Sequence, residues 1–169
     1  MEQFSGELLE KAKIRSGIAP HYDCSPQAQL GALNALKGKY FELWAHLVLS
    51  QKKMLGALVL HQNARVILAE SHIQKGWDLK ILNANQVDFW QLKATRSTAY
   101  VYQALVKYPH CRILTTSEVA QKMRKKIFQS AILDSGLNNR DLENYLVIHF
   151  FKMNPDVFFK RVLPCRNNF

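Results

Sequence analysis

The stretch from Ala57 to Ala94 constrains the fold of this chain more than any other part of the sequence. It contains four segments of strand length, ALVLHQ, RVILAESH, WDLKIL and VDFWQLKA, which alternate or are rich in β-branched residues and are separated by Asn or Gly turns. Segments with this pattern favour antiparallel strands joined in sequence order. We therefore predict a meander of three or four strands.

Helical periodicity precedes the meander. Residues 5–15 predict a short amphipathic helix, and a loop containing Pro and Gly follows it. Ser25 as N-cap and Pro26 at the first helical position favour the start of a long helix that runs to Met54. The meander is thus expected to follow a long helix.

After the meander, helices and strands alternate. The stretch from Ser97 to Tyr108 predicts a helix, CRILTT predicts a short strand, and residues 116–133 predict a helix opened by a capping box of Thr115 and Glu118. The apolar run YLVIHFF predicts a last strand. This order of elements is typical of an α/β domain with a mixed central β-sheet flanked by helices.

Length and charge limit the domain count and the class of partner. With 169 residues, 48% of them hydrophobic, the chain fits one globular domain. We predict a single domain over residues 1–169, with a core at about 28–151, an N-terminal helix and a basic C-terminal tail. The formal net charge of +10 favours polyanionic partners, so nucleic acid is the expected partner class.

Two features concern the compartment in which the chain works. No apolar run reaches the roughly 18 to 20 residues of a membrane-spanning helix, and the N-terminus lacks the charged start and apolar block of a signal peptide. The cysteines Cys24, Cys111 and Cys165 are odd in number and widely spaced, which is typical of free thiols in a reducing compartment. We expect a cytoplasmic protein without membrane contact.

The hairpin GWDLKILNANQVDFWQLKAT carries polar side chains where buried strands are expected. If the turn is centred between Ala84 and Asn85, a two- or four-residue loop places Asp78 directly opposite Gln91. Lys93 joins them because strand side chains repeat every two residues. A three-residue loop would slip the register and separate them. The sequence therefore predicts one polar cluster on one face of the sheet.

The residue types in this cluster suit one kind of chemistry. Carboxylate and amide oxygens are hard donors for a divalent ion such as Mg²⁺, which takes only one or two protein carboxylates and keeps waters. Such an ion lowers the pKa of a bound water, and a nearby lysine helps to orient or deprotonate that water and to stabilise a phosphorane-like transition state. The cluster thus predicts a Mg²⁺ or Mn²⁺ site suited to phosphodiester hydrolysis.

The order of these residues along the chain resembles the PD-(D/E)XK nuclease superfamily. A helical Glu42 in KGKYFELWAHLVL is followed by Asp78 in GWDLKI on a strand and by Gln91-Leu92-Lys93 in VDFWQLKAT on the next strand. A helix and an apolar strand come after them, and the resemblance covers roughly residues 38–116. It implies a restriction-endonuclease-like core and metal-dependent endonuclease activity on DNA or RNA.

The resemblance also implies a role for each motif residue. Asp78 would be the principal metal ligand, Gln91 would replace the usual second acidic ligand, and Lys93 would be the catalytic lysine. The backbone carbonyl of Leu92 would coordinate the metal, and Glu42 would bind the metal or its water from the helix. The sequence departs from the family pattern at Gln91, a neutral amide that gives the metal less charge than glutamate, and in lacking a proline before Asp78.

Other interpretations of these residues stay open. The polar hairpin residues suit a solvated sheet face with a salt bridge, and Glu42 suits an ordinary helical ion pair. Glu70 and Asp88 are alternative carboxylates for completing the site, although strand alternation directs Asp88 away from Gln91.

Basic residues near the motif and on a later helix are expected to bind the nucleic-acid backbone. They are Lys80, Arg96, Lys107, Lys122, Arg124, Lys125 and Lys126. The cations of the later helix also suit a solvated helix face. Tyr100 and Gln103 lie with Lys107 on the helix that, by the resemblance, borders the active site, or they serve helix packing only.

Three functions are compatible with these features. The first is a metal-dependent nuclease. The second is a catalytically inactive module that keeps the nuclease fold for binding nucleic acid, with Gln91 marking the loss of the metal. The third is a toxin-type DNase or tRNase domain neutralised by an acidic inhibitor protein, which a chain of charge +10 would attract. A homodimer is a further alternative, since each active site of a nuclease that cuts both strands handles one strand.

Overall fold

The structure is a computed structural model that describes residues 4–18, 25–56, 58–70, 76–83, 86–124 and 131–163. In these ranges the chain forms six α-helices and seven β-strands, so the predicted α/β class is confirmed. The helices are α1 (Gly6–Ser16), α2 (Pro26–Lys52), α3 (Thr98–Lys107), α4 (Ser117–Arg124), α5 (Asn139–His149) and α6 (Pro155–Val162). The strands are β1 (Met54–Leu55), β2 (Leu58–Val59), β3 (Arg65–Leu68), β4 (Leu79–Asn83), β5 (Gln86–Lys93), β6 (Cys111–Thr115) and β7 (Ile132–Asp134).

The chain divides into two compact units. One contains Met1–Tyr40 and Arg140–Phe169, and the other contains Phe41–Asn139, which includes both sheets. The single domain over residues 1–169, with its core at about 28–151, stays a prediction. Within the described ranges, no helix is long and apolar enough to cross a membrane.

The larger sheet has the strand order β3-β4-β5-β6-β7. Strands β3, β4 and β5 pair antiparallel, as predicted for the meander, whereas β6 pairs parallel with β5 and β7 pairs parallel with β6. Parallel neighbours need a crossover connection, and α3 provides it between β5 and β6. The sheet is therefore mixed, as predicted. The segment ALVLHQ departs from the prediction, because its strand β2 pairs with β1 in a separate two-stranded sheet.

The small hairpin of β1 and β2 lies close to β7. Gly56 follows β1 with a φ of +56°, and a side chain there would overlap the carbonyl oxygen of Asp134. Only glycine meets both conditions without strain. Helix α2 ends at Lys52, shortly before the predicted Met54, because Lys53 takes a φ of +54° that leaves the helical region.

Helices α3 and α4 cover one face of the larger sheet. Their buried residues form one apolar cluster with Ile113 of β6 and Ile132 of β7. The helix residues are Val101, Ala104, Val119, Ala120 and Met123. Gln91 pairs with Ile113, and paired residues of neighbouring strands share a face of the sheet. The predicted polar cluster therefore lies on the side of the sheet that α3 and α4 cover.

Two predictions for the C-terminal third are wrong. The helix predicted to reach Leu133 ends earlier, because Ile132–Asp134 form β7 beside β6. The predicted strand YLVIHFF belongs largely to α5, in which Leu142 and Leu146 are buried four residues apart, and buried Phe150 follows the helix. A contiguous apolar run alone does not distinguish a strand from the buried side of a helix.

The predicted capping box at the start of α4 is also wrong. Thr115 is the last residue of β6, and its hydroxyl donates to the carbonyl oxygen of Lys93 at 2.7 Å. The Glu118 carboxylate accepts the backbone N–H of Asn139 with both oxygens at 2.9 Å. The two side chains thus form hydrogen bonds with residues distant in sequence instead of capping α4. Glu118 accepts the backbone N–H of the first residue of α5.

The unit that contains both chain ends is helical in its described part. A buried ion pair joins α2 to α5, with Lys37 Nζ at 2.7 Å from Glu143 Oε1. The ring of Tyr145 stacks on Phe4 at a centroid distance of 4.8 Å and lies 5.6 Å from the ring of Tyr40. All the predicted site residues belong to the other unit.

Candidate functional site

The hairpin of β4 and β5 has the predicted register. Its strands pair from Leu79 with Trp90 to Asn83 with Gln86, so the loop contains two residues, both outside the described ranges. The two-residue loop is one of the two lengths that the polar cluster requires. The regular ladder ends at Leu79, one residue before the predicted pair of Asp78 and Gln91, and the Asp78 N–H bonds to Trp90 instead.

The backbone is irregular at Asp78. In a regular strand, the N–H and C=O groups of one residue point to the same neighbouring strand. Here the N–H of Asp78 donates to the Trp90 carbonyl of β5 at 2.8 Å, whereas its C=O accepts the N–H of Ala69, after β3, at 3.0 Å. The side chain supplies a further acceptor, because Oδ2 of Asp78 accepts the N–H of Leu92 at 2.7 Å. The carboxylate thus takes a place that a backbone carbonyl would occupy in a regular ladder.

The three predicted cluster residues come together. Lys93 Nζ donates to Gln91 Oε1 at 2.6 Å and lies 3.5 Å from Asp78 Oδ2. Gln91 is only 4% exposed, and the side chains of Lys93 and Asp78 are 15% and 22% exposed. The ammonium therefore bridges a carboxylate and an amide oxygen in a largely covered position. A solvated sheet face does not describe this arrangement.

Hydroxyl groups hold the chain where it leaves β5. Thr115 donates to the carbonyl oxygen of Lys93 at 2.7 Å, and Thr116 donates to that of Thr95 at 2.9 Å. Both threonines are fully buried. The backbone of Lys93 is thereby fixed from β6, by the sheet pairing and by the Thr115 hydroxyl.

A thiol that was not predicted as a site residue lies beside the cluster. Cys111 is buried, and its Sγ donates to the carbonyl oxygen of Gly76 at 3.0 Å. Burial raises the pKa of the Cys111 thiol, the negative charge of Asp78 raises it further, and the Lys93 ammonium lowers it. Cys111 shares the sheet face of Lys93 through its pairing with Phe89. Strand alternation was the only sequence signal that could have placed Cys111 on this face. It requires the pairing register of β5 and β6, which the sequence does not determine.

A cavity of about 230 Å³ adjoins the cluster. Gln91 and Lys93 line it from β5, and Tyr100, Gln103 and Lys107 line it from α3. The sequence is compatible with two roles for these helix residues, helix packing and a position beside the active site. The structure places them at the cavity that the motif residues also line.

The predicted helical ligand Glu42 and the alternative carboxylates Glu70 and Asp88 form no hydrogen bond or ion pair with Asp78 among the described residues. Glu42 is 9% exposed on α2. Asp88 accepts a hydrogen bond from Gln86 Nε2 at 2.9 Å, and strand alternation puts it on the sheet face opposite to Gln91, as predicted. Glu70 is exposed after β3.

The predicted nucleic-acid-binding residues take different positions. Lys80 lies over the ring of Phe89 at 5.9 Å, and Lys107 lies 5.2 Å from the ring of Tyr108. Arg96 and Lys122 are exposed. The side chain of Arg124 and both Lys125 and Lys126 lie outside what the structure describes, as do Cys24 and Cys165.

The donor set fits one divalent cation that has few protein ligands. Among the residues that the structure describes, no three His, Cys, Asp or Glu side chains form a metal-binding group. The cluster instead offers the carboxylate of Asp78 and the amide oxygen of Gln91, and a hard ion that keeps most of its waters accepts such a set. The Lys93 ammonium already lies between these two oxygens, so the position attracts positive charge.

Comparisons with models of protein families, with curated proteins and with solved structures found no match. The resemblance to the PD-(D/E)XK superfamily therefore stays a prediction that rests on the motif residues.

Proposed function

We propose that this protein is a metal-dependent nuclease that hydrolyses phosphodiester bonds of DNA or RNA, on a restriction-endonuclease-like core. The observation that carries the proposal is the contact of Lys93 Nζ with Gln91 Oε1 at 2.6 Å and with Asp78 Oδ2 at 3.5 Å. This contact joins the three side chains to which the resemblance to the PD-(D/E)XK superfamily assigns catalytic roles. We further propose a cytoplasmic location, because the odd number and wide spacing of the cysteines suit a reducing compartment.

The order of elements supports the proposed core. The element order α2, β3, β4, β5, α3, β6 carries Glu42 on the helix, Asp78 immediately before β4 and Gln91-Leu92-Lys93 at the end of β5. This is the order in which the motif residues and elements of the resemblance occur. The unusual backbone of Asp78 also supports a site, because bulge-like irregularities that re-aim a side chain are common beside active sites.

Asp78 and Gln91 would hold a Mg²⁺ or Mn²⁺ ion, which would supply a water of lowered pKa and positive charge at the phosphate. The Leu92 carbonyl points to the same edge of β5 as the Leu92 N–H, which donates to Asp78, so it suits a third ligand. Glu42 would complete the set only through a rearrangement or through water. Asp78 contributes the one full negative charge of the cluster.

Lys93 supplies a fixed positive charge at the reacting phosphate. Its backbone is held by β6 and by Thr115, so its side chain starts from a defined point of the sheet. Partial burial strengthens the attraction between the ammonium and a phosphate oxygen, because less water screens it. The same ammonium can orient or help to deprotonate the attacking water.

The distribution of charge also supports nucleic acid as the substrate. The unit Phe41–Asn139 contains 13 Lys and Arg against six Asp and Glu, a formal charge of +7 out of the total of +10. The candidate site thus lies in the more basic unit. Long-range attraction of a polyanion to this unit would raise its association rate.

The test is incubation of the purified protein with plasmid DNA and with total tRNA in Mg²⁺, Mn²⁺ or EDTA. We expect cleavage of at least one substrate with a metal and none with EDTA. Asp78→Asn and Lys93→Met should reduce the rate by about 100-fold or more. Lys160→Met, which removes an exposed cation of α6, should retain activity within about twofold.

Asp78→Asn is preferred to Asp78→Ala for this test. An asparagine oxygen can still accept the N–H of Leu92, whereas alanine leaves this buried group without its partner at a cost of about 1–3 kcal/mol. Circular dichroism and urea unfolding establish that each variant is folded. No cleavage by the wild-type protein under any metal would sink the nuclease proposal.

One observation favours a second candidate, a nucleic-acid-binding module without catalytic activity. The hydrogen bond between Asp78 and Leu92 gives the carboxylate a structural reason to be present, and Gln91 brings no charge for a metal. This module would bind tRNA or DNA equally well with EDTA and with Mg²⁺. Asp78→Asn and Lys93→Met would then leave its affinity within about threefold of wild type.

A further inference from the structure

The cavity between β5 and α3 combines groups that do not belong to the cleavage chemistry. Beside Lys93 and Gln91 it is lined by Tyr100, Gln103 and Lys107, with Tyr108 after the helix. Tyr100 is 52% exposed, so about half of its side chain is accessible to a ligand. Among the described residues, the lining thus contains two phenol rings, two amides and two ammonium groups and no carboxylate.

This set of groups is complementary to a nucleotide. A flat aromatic ring stacks on a base, an amide side chain offers one donor and one acceptor to the base edge, and an ammonium binds phosphate. Lys93 is paired with Asp78 at 3.5 Å, so Lys107 is the lining cation that favours a ligand with negative charge. The volume of about 230 Å³ lies below the roughly 300–1,000 Å³ of pockets for drug-sized ligands, so it suits one nucleotide unit.

We propose that the cavity binds one unpaired nucleotide of the substrate, with its base on Tyr100 and its phosphate near Lys107. This inference rests on the proposed function, because a strand that enters here brings a neighbouring phosphate to Lys93, which lines the same cavity. A base that is stacked and paired in a duplex cannot enter without leaving the helix. The substrate class is therefore single-stranded nucleic acid or an unpaired segment of a folded one.

Helix α3 provides a matched control. Tyr102 lies on the same helix and is 49% exposed, almost as much as Tyr100, but it does not line the cavity. Removing either ring changes the exposed aromatic surface of α3 by a similar amount. Only the removal of Tyr100 should affect a base bound in the cavity.

The experiment measures binding in EDTA, where no metal-dependent cleavage takes place. Fluorescence anisotropy of labelled single-stranded oligonucleotides and of the matching duplex should give at least about tenfold tighter binding to the single strands. Tyr100→Ala should weaken single-strand binding about tenfold, Tyr100→Phe should keep it, and Tyr102→Ala should change it less than twofold. Titration with AMP and UMP, with inorganic phosphate as comparison, tests whether one nucleotide suffices.

Two results would overturn the inference: equal losses in Tyr100→Ala and Tyr102→Ala, or a duplex that binds as tightly as the single strand. Both leave the nuclease proposal in place when the wild-type protein cuts with metal. Conversely, Tyr100-dependent binding without cleavage under any metal keeps the nucleotide site and overturns the nuclease. The two proposals therefore fail in different measurements.

Discussion

The ammonium of Lys93 and a divalent ion would compete for the same oxygens. Nζ lies 2.6 Å from Gln91 Oε1 and 3.5 Å from Asp78 Oδ2, so it supplies the positive charge that a metal would otherwise supply. A lysine that takes part in catalysis at this distance also weakens metal binding by repulsion. Metal affinity and cleavage rate should therefore respond to Lys93 in opposite directions.

We predict that Lys93→Met binds Mn²⁺ about fivefold or more tightly than the wild-type protein while cleavage is lost, because the competing charge is gone. Isothermal titration calorimetry measures the affinity. Asp78→Asn should bind Mn²⁺ much more weakly, and Lys122→Met should match the wild type. Unchanged or weaker binding by Lys93→Met would place the metal away from the Asp78–Gln91 pair.

The pKa of the Cys111 thiol depends on the charges of the same cluster. Burial raises its pKa most, Asp78 raises it further and Lys93 lowers it. At a given pH, a raised pKa means less thiolate and slower alkylation. Removing the carboxylate should therefore lower the pKa, and removing the ammonium should raise it.

In a Cys24→Ser/Cys165→Ser background, the rate of iodoacetamide reaction between pH 7 and 10 should rise in Asp78→Asn and fall in Lys93→Met, relative to the same background. Mass spectrometry identifies Cys111 as the labelled residue. Shifts in the same direction for both variants would mean that changed burial, and not charge, controls the thiol.

At the scale of elements, the hairpin of β1 and β2 depends on one glycine. The positive φ of Gly56 and the closeness of the Asp134 carbonyl leave no space for a side chain, so the backbone of this hairpin approaches β7 directly. The glycines inside α2 have neither constraint, since a Cβ at Gly31 would meet no atom within 4 Å.

We predict that Gly56→Ala lowers the free energy of unfolding by about 3 kcal/mol or more, through backbone strain and overlap. Gly31→Ala should instead raise it by about 0.5–1 kcal/mol, because alanine favours a helix over glycine. Urea unfolding followed by circular dichroism measures both. A small effect of Gly56→Ala would mean that β1 and β2 can move away from β7.

The elements that the sequence predicted correctly are those in which local pattern and partners agree. The hairpin register follows from strand alternation on both sides of a short turn, and this alternation is enough to predict that Asp78, Gln91 and Lys93 lie together. The strand predicted for YLVIHFF was wrong because a contiguous apolar run is compatible with a strand and with a helix. Cys111 and the Asp78–Leu92 hydrogen bond were missed, since both depend on pairings between segments distant in sequence.

At the scale of the whole molecule, charge is unevenly distributed. The unit Phe41–Asn139 carries +7 of the total formal charge of +10. Exposed lysines occur in both units, for example Lys107 and Lys122 in one and Lys152 and Lys160 in the other. Nucleic-acid binding should therefore depend on where a charge is removed, and not only on the net charge.

We predict that Lys107→Glu/Lys122→Glu lowers the affinity for single-stranded oligonucleotides about tenfold or more, whereas Lys152→Glu/Lys160→Glu lowers it less than about threefold. Both double variants have the same net charge. Fluorescence anisotropy at one fixed salt concentration, repeated over a salt series, makes the comparison. Equal losses would mean that total charge alone governs the binding.

The carboxylate of Asp78 supports the sheet as well as the proposed chemistry, and this affects how the chain can change during evolution. A lineage that abandoned catalysis would still need an acceptor for the Leu92 N–H, and asparagine provides one without the charge. Drift to a small apolar residue would damage the fold itself. In descendants of a common ancestor, asparagine at position 78 would therefore indicate a protein that has lost cleavage activity and kept the fold. Aspartate at this position would not by itself indicate activity.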